Sequence, residues 1–132
     1  MFSIDVREEG RGTVLVLRGD LDHDSVVQLD EAGRRETAPG GAEGTVVADL
    51  AGLTFCDSSG VSALLRLYRR LEAGHRRLVL AAVPRTVQRL FALTGLDQIF
   101  TVHADVHEAL TAGRATPTGA GAPARQNGKE TT

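Results

Sequence analysis

The chain is 132 residues long and 42% apolar, with a formal net charge of −2 and a single cysteine. That length suits one domain with a buried core, and one cysteine excludes both an internal disulfide and a multi-cysteine zinc site. Charges of both signs are interspersed, with no single-sign tract to mark a nucleic-acid surface.

Taken in chain order, Phe2 to Arg7 alternates loosely, as an edge strand does. Glu9-Gly10-Arg11-Gly12 is turn chemistry. Thr13 to Leu17 is a continuous apolar strand suited to burial on both faces, so the two strands read as a hairpin. Gly19 to Asp24 leaves that strand, and Asp22 or Asp24 is placed to cap a helix beginning near Ser25. Pro39-Gly40-Gly41 ends that helix after about Glu36.

The third strand is Thr45 to Leu50, followed by a short connector from Ala51 to Cys56. Val61, Leu64, Leu65, Tyr68 and Leu71 then recur at helical spacing, predicting a helix from about Ser58 to Ala73 that Gly74 stops. Arg69-Arg70 and Arg76-Arg77, around the end of that helix, read as solvated charges that suit its dipole. Leu78 to Ala82 is the fourth strand, and Pro84 opens a helix with Val87, Leu90 and Phe91 as its apolar stripe. Gly95 stops it. Ile99 to Val102 is a short last strand. Asp105 with Glu108 forms a capping box for a final helix with Val106, Ala109 and Leu110 inward.

The predicted order is β-β-α-β-α-β-α-β-α. Strands alternating with helices predict an α/β fold: a small mixed sheet with a parallel core, an antiparallel first hairpin and packed helices. From Gly113 onward the composition turns to Gly, Ala, Pro, Thr and polar residues without periodicity. The expected organisation is therefore a folded domain over 1–112 and a disordered tail over 113–132. No apolar run is long enough to span a bilayer and no signal peptide is evident. The expected location is the cytoplasm, without membrane or nucleic-acid contact.

The most informative segment is Asp57-Ser58-Ser59-Gly60, at the start of the strongest helix. A helix N-terminus offers unpaired N–H groups and the positive end of the dipole. Asp57 or Ser58 can cap it, and a phosphate is also favoured there. Ser58 and Ser59 differ by about 100° around the helix, so one of them faces outward more than the other. Their spacing alone does not say which. Gly60 is expected to keep the approach to Ser58 uncluttered.

Other chemistries lack their parts. His103 and His107 stand one helical turn apart, with no third ligand in the pattern. There is no Gly-x-Ser-x-Gly elbow and no Gly-rich Walker loop. Cys56, in an apolar stretch, reads as a small buried hydrophobe. No catalytic residue, metal or cofactor is expected.

Four segments together resemble one family, the STAS domains, and within it the bacterial anti-sigma-factor antagonists. They are Gly19-Asp20-Leu21-Asp22-His23, Val47-Ala48-Asp49-Leu50-Ala51-Gly52-Leu53, Phe55-Cys56-Asp57-Ser58-Ser59-Gly60, and Leu93-Thr94-Gly95-Leu96-Asp97. The resemblance implies a protein that binds an anti-sigma factor, itself a serine kinase, and so frees a sigma factor. It implies phosphorylation of Ser58 as the release signal and a serine phosphatase as the reset. The implied binding surface comprises Asp20, Asp22, His23, Asp24, Cys56, Asp57, Ser59, Gly60, Val61 and Ser62. Cys56 and Val61 depart mildly from the residues common at those positions. Some STAS domains serve instead as subunits of lipid-transport ATPase complexes or as stress-signalling scaffolds, which is the alternative expectation.

Overall fold

A computed structural model describes residues 1–10 and 12–115. The elements are β1 (Ser3–Glu9), β2 (Gly12–Leu21), α1 (Val26–Glu36), β3 (Val46–Cys56), α2 (Ser58–Ala73), β4 (Leu78–Ala81), α3 (Arg85–Thr94), a 3₁₀ turn at Leu96–Gln98, β5 (Val102–His103) and α4 (Val106–Ala115). The five strands lie side by side in chain order. β1 runs antiparallel to β2, and each later neighbour is parallel.

Strands added one after another in the same direction, joined by right-handed crossovers, put the connecting helices on one face. The main core lies there. It joins Leu15 and Leu17 of β2, Val46, Ala48 and Leu50 of β3, and Leu78 and Leu80 of β4 to Leu29, Leu64, Leu71, Val87 and Phe91 of the helices. The alternate residues Val14, Val16, Val47, Val79 and Ala81 form a smaller cluster on the opposite face with Ala109 of α4. Both faces of the central strands are thus covered, which explains their unbroken apolar runs.

Three strands differ from expectation. β2 continues to Leu21 and β3 to Cys56, so the expected loop at Gly19 and the connector after Leu50 are paired strand with register shifts near Arg18 and Asp20. Gly19 makes this possible: its φ is +94°, and a Cβ there would strike the Met1 carbonyl oxygen. The last strand is Val102–His103 rather than Ile99–Val102. Phe100 is instead buried against two rings, with centroids 5.8 Å from Tyr68 and 5.2 Å from Phe91.

Helix ends follow the sequence closely. Pro84 is the N-cap of α3 and Gly95, with φ +79°, its left-handed stop. Gly74 ends α2, but the left-handed residue is His75, and the Arg76 N–H closes back on the Leu71 carbonyl at 2.8 Å. The expected capping pair is present: Glu108 N–H donates to Asp105 Oδ1 at 2.8 Å, and Glu108 Oε1 accepts from Ala104 N–H at 2.8 Å. α4 runs to Ala115, past the expected boundary at Gly113. The rest of the expected tail lies outside the described residues.

Arg76 overturns its expected place in solvent. It is 7% exposed, and its guanidinium donates to Glu36 Oε1 at 2.8 Å, the Glu36 carbonyl at 2.9 Å, the Gly44 carbonyl at 2.9 Å and Thr13 Oγ1 at 3.2 Å. A buried cation persists only when paired and hydrogen-bonded, and the planar fork of Arg serves several acceptors at once. Arg76 therefore ties the end of α1, the loop before β3 and the start of β2 together.

Candidate functional site

The site lies beyond the C-terminal ends of β2 and β3. Parallel pairing sets Asp20 beside Phe55 and Leu21 beside Cys56, bringing two segments distant in sequence to one edge. Thr54 Oγ1 donates to Asp20 Oδ1 at 2.7 Å, and Asp57 N–H donates to the Leu21 carbonyl at 3.3 Å. These bonds hold the start of α2 against the end of β2.

Asp57 is the cap. Its Oδ1 accepts the Gly60 N–H at 3.0 Å, and its backbone is extended, as an N-cap requires. That leaves both serines free of capping duty. Ser58 is exposed and Ser59 half-buried. Ser62, one turn on, is also exposed.

Gly60 and Val61 are buried, so neither lines the outer surface expected of them. A Cβ on Gly60 would strike the Leu21 carbonyl oxygen and stand 2.8 Å from Cys56 Sγ. The glycine is thus required from the inside, where α2 crosses the end of β2, and not by the approach to Ser58. Val61 joins the main core.

The neighbouring turn is tightly bonded. Asp22 Oδ1 accepts from Asp24 N–H at 3.1 Å and Ser25 N–H at 3.2 Å. The buried Ser25 hydroxyl donates to the Asp20 carbonyl at 2.7 Å and accepts from Asp22 N–H at 2.8 Å. Asp22 therefore shapes the turn before α1, whose N-cap is Ser25. His23 and Asp24 stand exposed beside it.

Cys56 is half-buried and packs against the main core. Burial, with a smaller push from the Asp57 carboxylate, raises its thiol to about 11. A thiol so raised stays protonated at neutral pH, which removes its nucleophilic form.

Sequence reasoning does not find Thr54, Ser25 or Phe55 as site residues. Thr54 and Ser25 are polar anchors whose partners lie across a strand pairing or inside a turn. Phe55 is 52% exposed, an aromatic surface next to the Ser58 helix start. Its one signal is an aromatic residue between Thr54 and Cys56, in a stretch that reads locally as a connector.

Fold and site together define a small mixed-sheet α/β domain that presents an exposed serine at a capped helix start. The family model described as "Mlab, STAS domain" matches residues 4–107, and the chain belongs to the STAS-domain family. It is 38% identical over 87 residues to an anti-sigma F factor antagonist of Lysinibacillus sphaericus, covering 65% of this chain and 74% of that one. It is 33% identical over 109 residues to one of Paenibacillus polymyxa, covering 79% and 89%. The solved structure of the anti-sigma factor antagonist SpoIIAA in its unphosphorylated form superposes with a TM-score of 0.74 at 29% identity, covering 88% of this chain and 100% of that one. The Bacillus SpoIIAA in its phosphorylated form gives 0.67 at 29% identity, covering 83% and 98%.

Proposed function

We propose that this protein is an anti-sigma-factor antagonist: it binds an anti-sigma factor through the surface around Ser58, and phosphorylation of Ser58 by that anti-sigma factor acting as a serine kinase releases it. A serine phosphatase restores the binding form. The protein is a substrate of the kinase and not itself an enzyme, and it acts in the cytoplasm. Among the described residues no helix is long and apolar enough to cross a membrane.

The observation that carries this reading is the exposed Ser58, a hydroxyl residue at a helix start already capped by Asp57. Ser58 is preferred over Ser59 because Ser59 is half-buried. Two relatives that are anti-sigma F factor antagonists support the role, and a structural neighbour is known in phosphorylated and unphosphorylated forms. The alternative, a STAS subunit of a lipid-transport ATPase complex or a scaffold, is not favoured by those relatives.

The physics suits release without unfolding. A phosphoserine brings a charge of about −1.5 to −2. At the N-terminus of α2 it gains about 0.3–1 kcal/mol from the dipole. In a closed interface the same dianion is desolvated beside the neighbouring Asp57 carboxylate. An uncompensated buried charge costs roughly 3–5 kcal/mol, or about 10²–10³-fold in affinity. The cost in the interface exceeds the gain from the dipole, so the complex dissociates while the domain stays folded.

The test is incubation with the cognate anti-sigma factor and ATP, followed by mass mapping. Phosphate is expected on Ser58, and none on the Ser58→Ala variant. Full labelling of Ser58→Ala would falsify the assignment.

A further inference from the structure

The two edges of the sheet are unlike. β5 is two residues long, which blunts its edge. β1 is seven residues long and, among the described residues, pairs on one side only, with β2. A long unpaired edge is a template for another strand. Beside it, between β1 and α1, lies a groove of about 570 Å³ lined by Ile4, Val6, Val27 and Ala32 and rimmed by Glu31 and Arg35. Val6 is 52% and Val27 64% exposed, so the apolar part of this groove faces water.

The sequence of β1 is self-complementary in one antiparallel register. Ile4 and Val6 share the α1 face, since they oppose the core residues Leu17 and Leu15 of β2. Asp5 and Arg7 share the other face, opposite Val16 and Val14. Two β1 strands paired antiparallel about Val6 set Val6 against Val6 and each Asp5 against the other copy's Arg7. A slip of one pleat repeat either way sets Asp5 against Asp5, or Arg7 against Arg7. Like charges directly opposed are destabilising and opposite charges stabilising, so charge selects the Val6-centred register. Asp5 shares an exposed ion pair with Arg18 at 2.9 Å, whereas Arg7 has none among the described residues.

We infer that β1 is a homodimerisation edge, on which a second copy of this chain continues the sheet through antiparallel β1–β1 pairing centred on Val6. The pairing supplies the missing hydrogen-bond partners of the edge, and Val6 and the groove beside it lose their contact with water. Within each protomer β1 is separated from β3 by β2, so the pairing does not occupy the strand that leads into Ser58. The inference therefore stands apart from the proposed phosphorylation switch.

Sedimentation equilibrium of the full chain over a wide concentration range tests it, in an Arg18→Ala background so that Asp5 has no competing partner. The mass is expected to rise from 14.0 kDa toward twice that value. Arg7→Asp, which opposes two like-charge pairs, is expected to weaken the association about tenfold or more. Adding Asp5→Arg to Arg7→Asp is expected to restore most of the loss, since the opposite charges then face each other again. Circular dichroism checks that each variant is folded. A monomer throughout, with the edge free for an extended segment of another protein, overturns the inference. So does a dimer indifferent to Arg7→Asp, or one that the double exchange fails to rescue.

Discussion

The two ends of helix α2 handle polar groups in opposite ways. Just past its C-terminal end Arg76 is buried, and its guanidinium is held by Glu36, Gly44 and Thr13. At its N-terminal end Ser58 is exposed, while Asp57 caps the helix through the Gly60 N–H. One end is fixed in place by a buried ion pair, and the other leaves a hydroxyl open to an outside partner. Across the length of one helix, the polar group that holds the fold is thereby separated from the polar group that can change.

Substitutions at the two ends should therefore separate stability from binding. The largest expected loss of stability is at Arg76. Arg76→Ala strands the Glu36 carboxylate in a buried place, at a cost of roughly 3–5 kcal/mol, readable as a lower urea midpoint. Replacing both by apolar residues, Arg76→Met with Glu36→Leu, should recover part of it: the uncompensated charge is gone, but the Glu36 and Gly44 carbonyls still lack their donor. If the double variant is no more stable than the single, the ion pair is not what fixes this end.

Gly60→Ala comes next. The added methyl meets the Leu21 carbonyl and Cys56 Sγ, and overpacking of this kind costs about 1–3 kcal/mol. Unfolding of the variant should show that loss with no change in the number of phosphorylatable hydroxyls. A variant as stable as the parent would mean that α2 does not cross the end of β2 so closely.

The smallest effect is at Cys56. With its thiol raised to about 11, the folded chain holds this proton more tightly than the unfolded one. Its contribution to stability is intact below pH about 9 and is lost as pH climbs through 11. Cys56→Ala should flatten that part of the stability–pH curve. Iodoacetamide should label the native protein at pH 7 much more slowly than the denatured chain.

Much of this is legible in the sequence, and the departures share a cause. Helix starts and stops at Asp57, Pro84, Gly95 and Asp105 rest on local chemistry, and the residues themselves announce them. The ends of β2 and β3 escape a local reading because Gly19, Asp20 and Gly52 look like loop residues, while their strand character comes from pairing with each other's neighbours. Arg76 escapes it for the same reason: its acceptors are far apart in the chain and meet only in the fold. At the site, Asp57 as cap is legible and Gly60 as an inward requirement is not, since the Leu21 carbonyl it accommodates belongs to another strand.

The proposed switch at Ser58 changes binding and leaves the fold alone. Calorimetric titration of the anti-sigma factor with the unmodified chain and with the chain fully phosphorylated at Ser58 tests this most directly, alongside thermal unfolding of both forms. The phosphorylated chain should bind about 10²–10³-fold more weakly, with an unfolding midpoint close to that of the unmodified form. Equal affinities, or a phosphate that unfolds the domain, would contradict it.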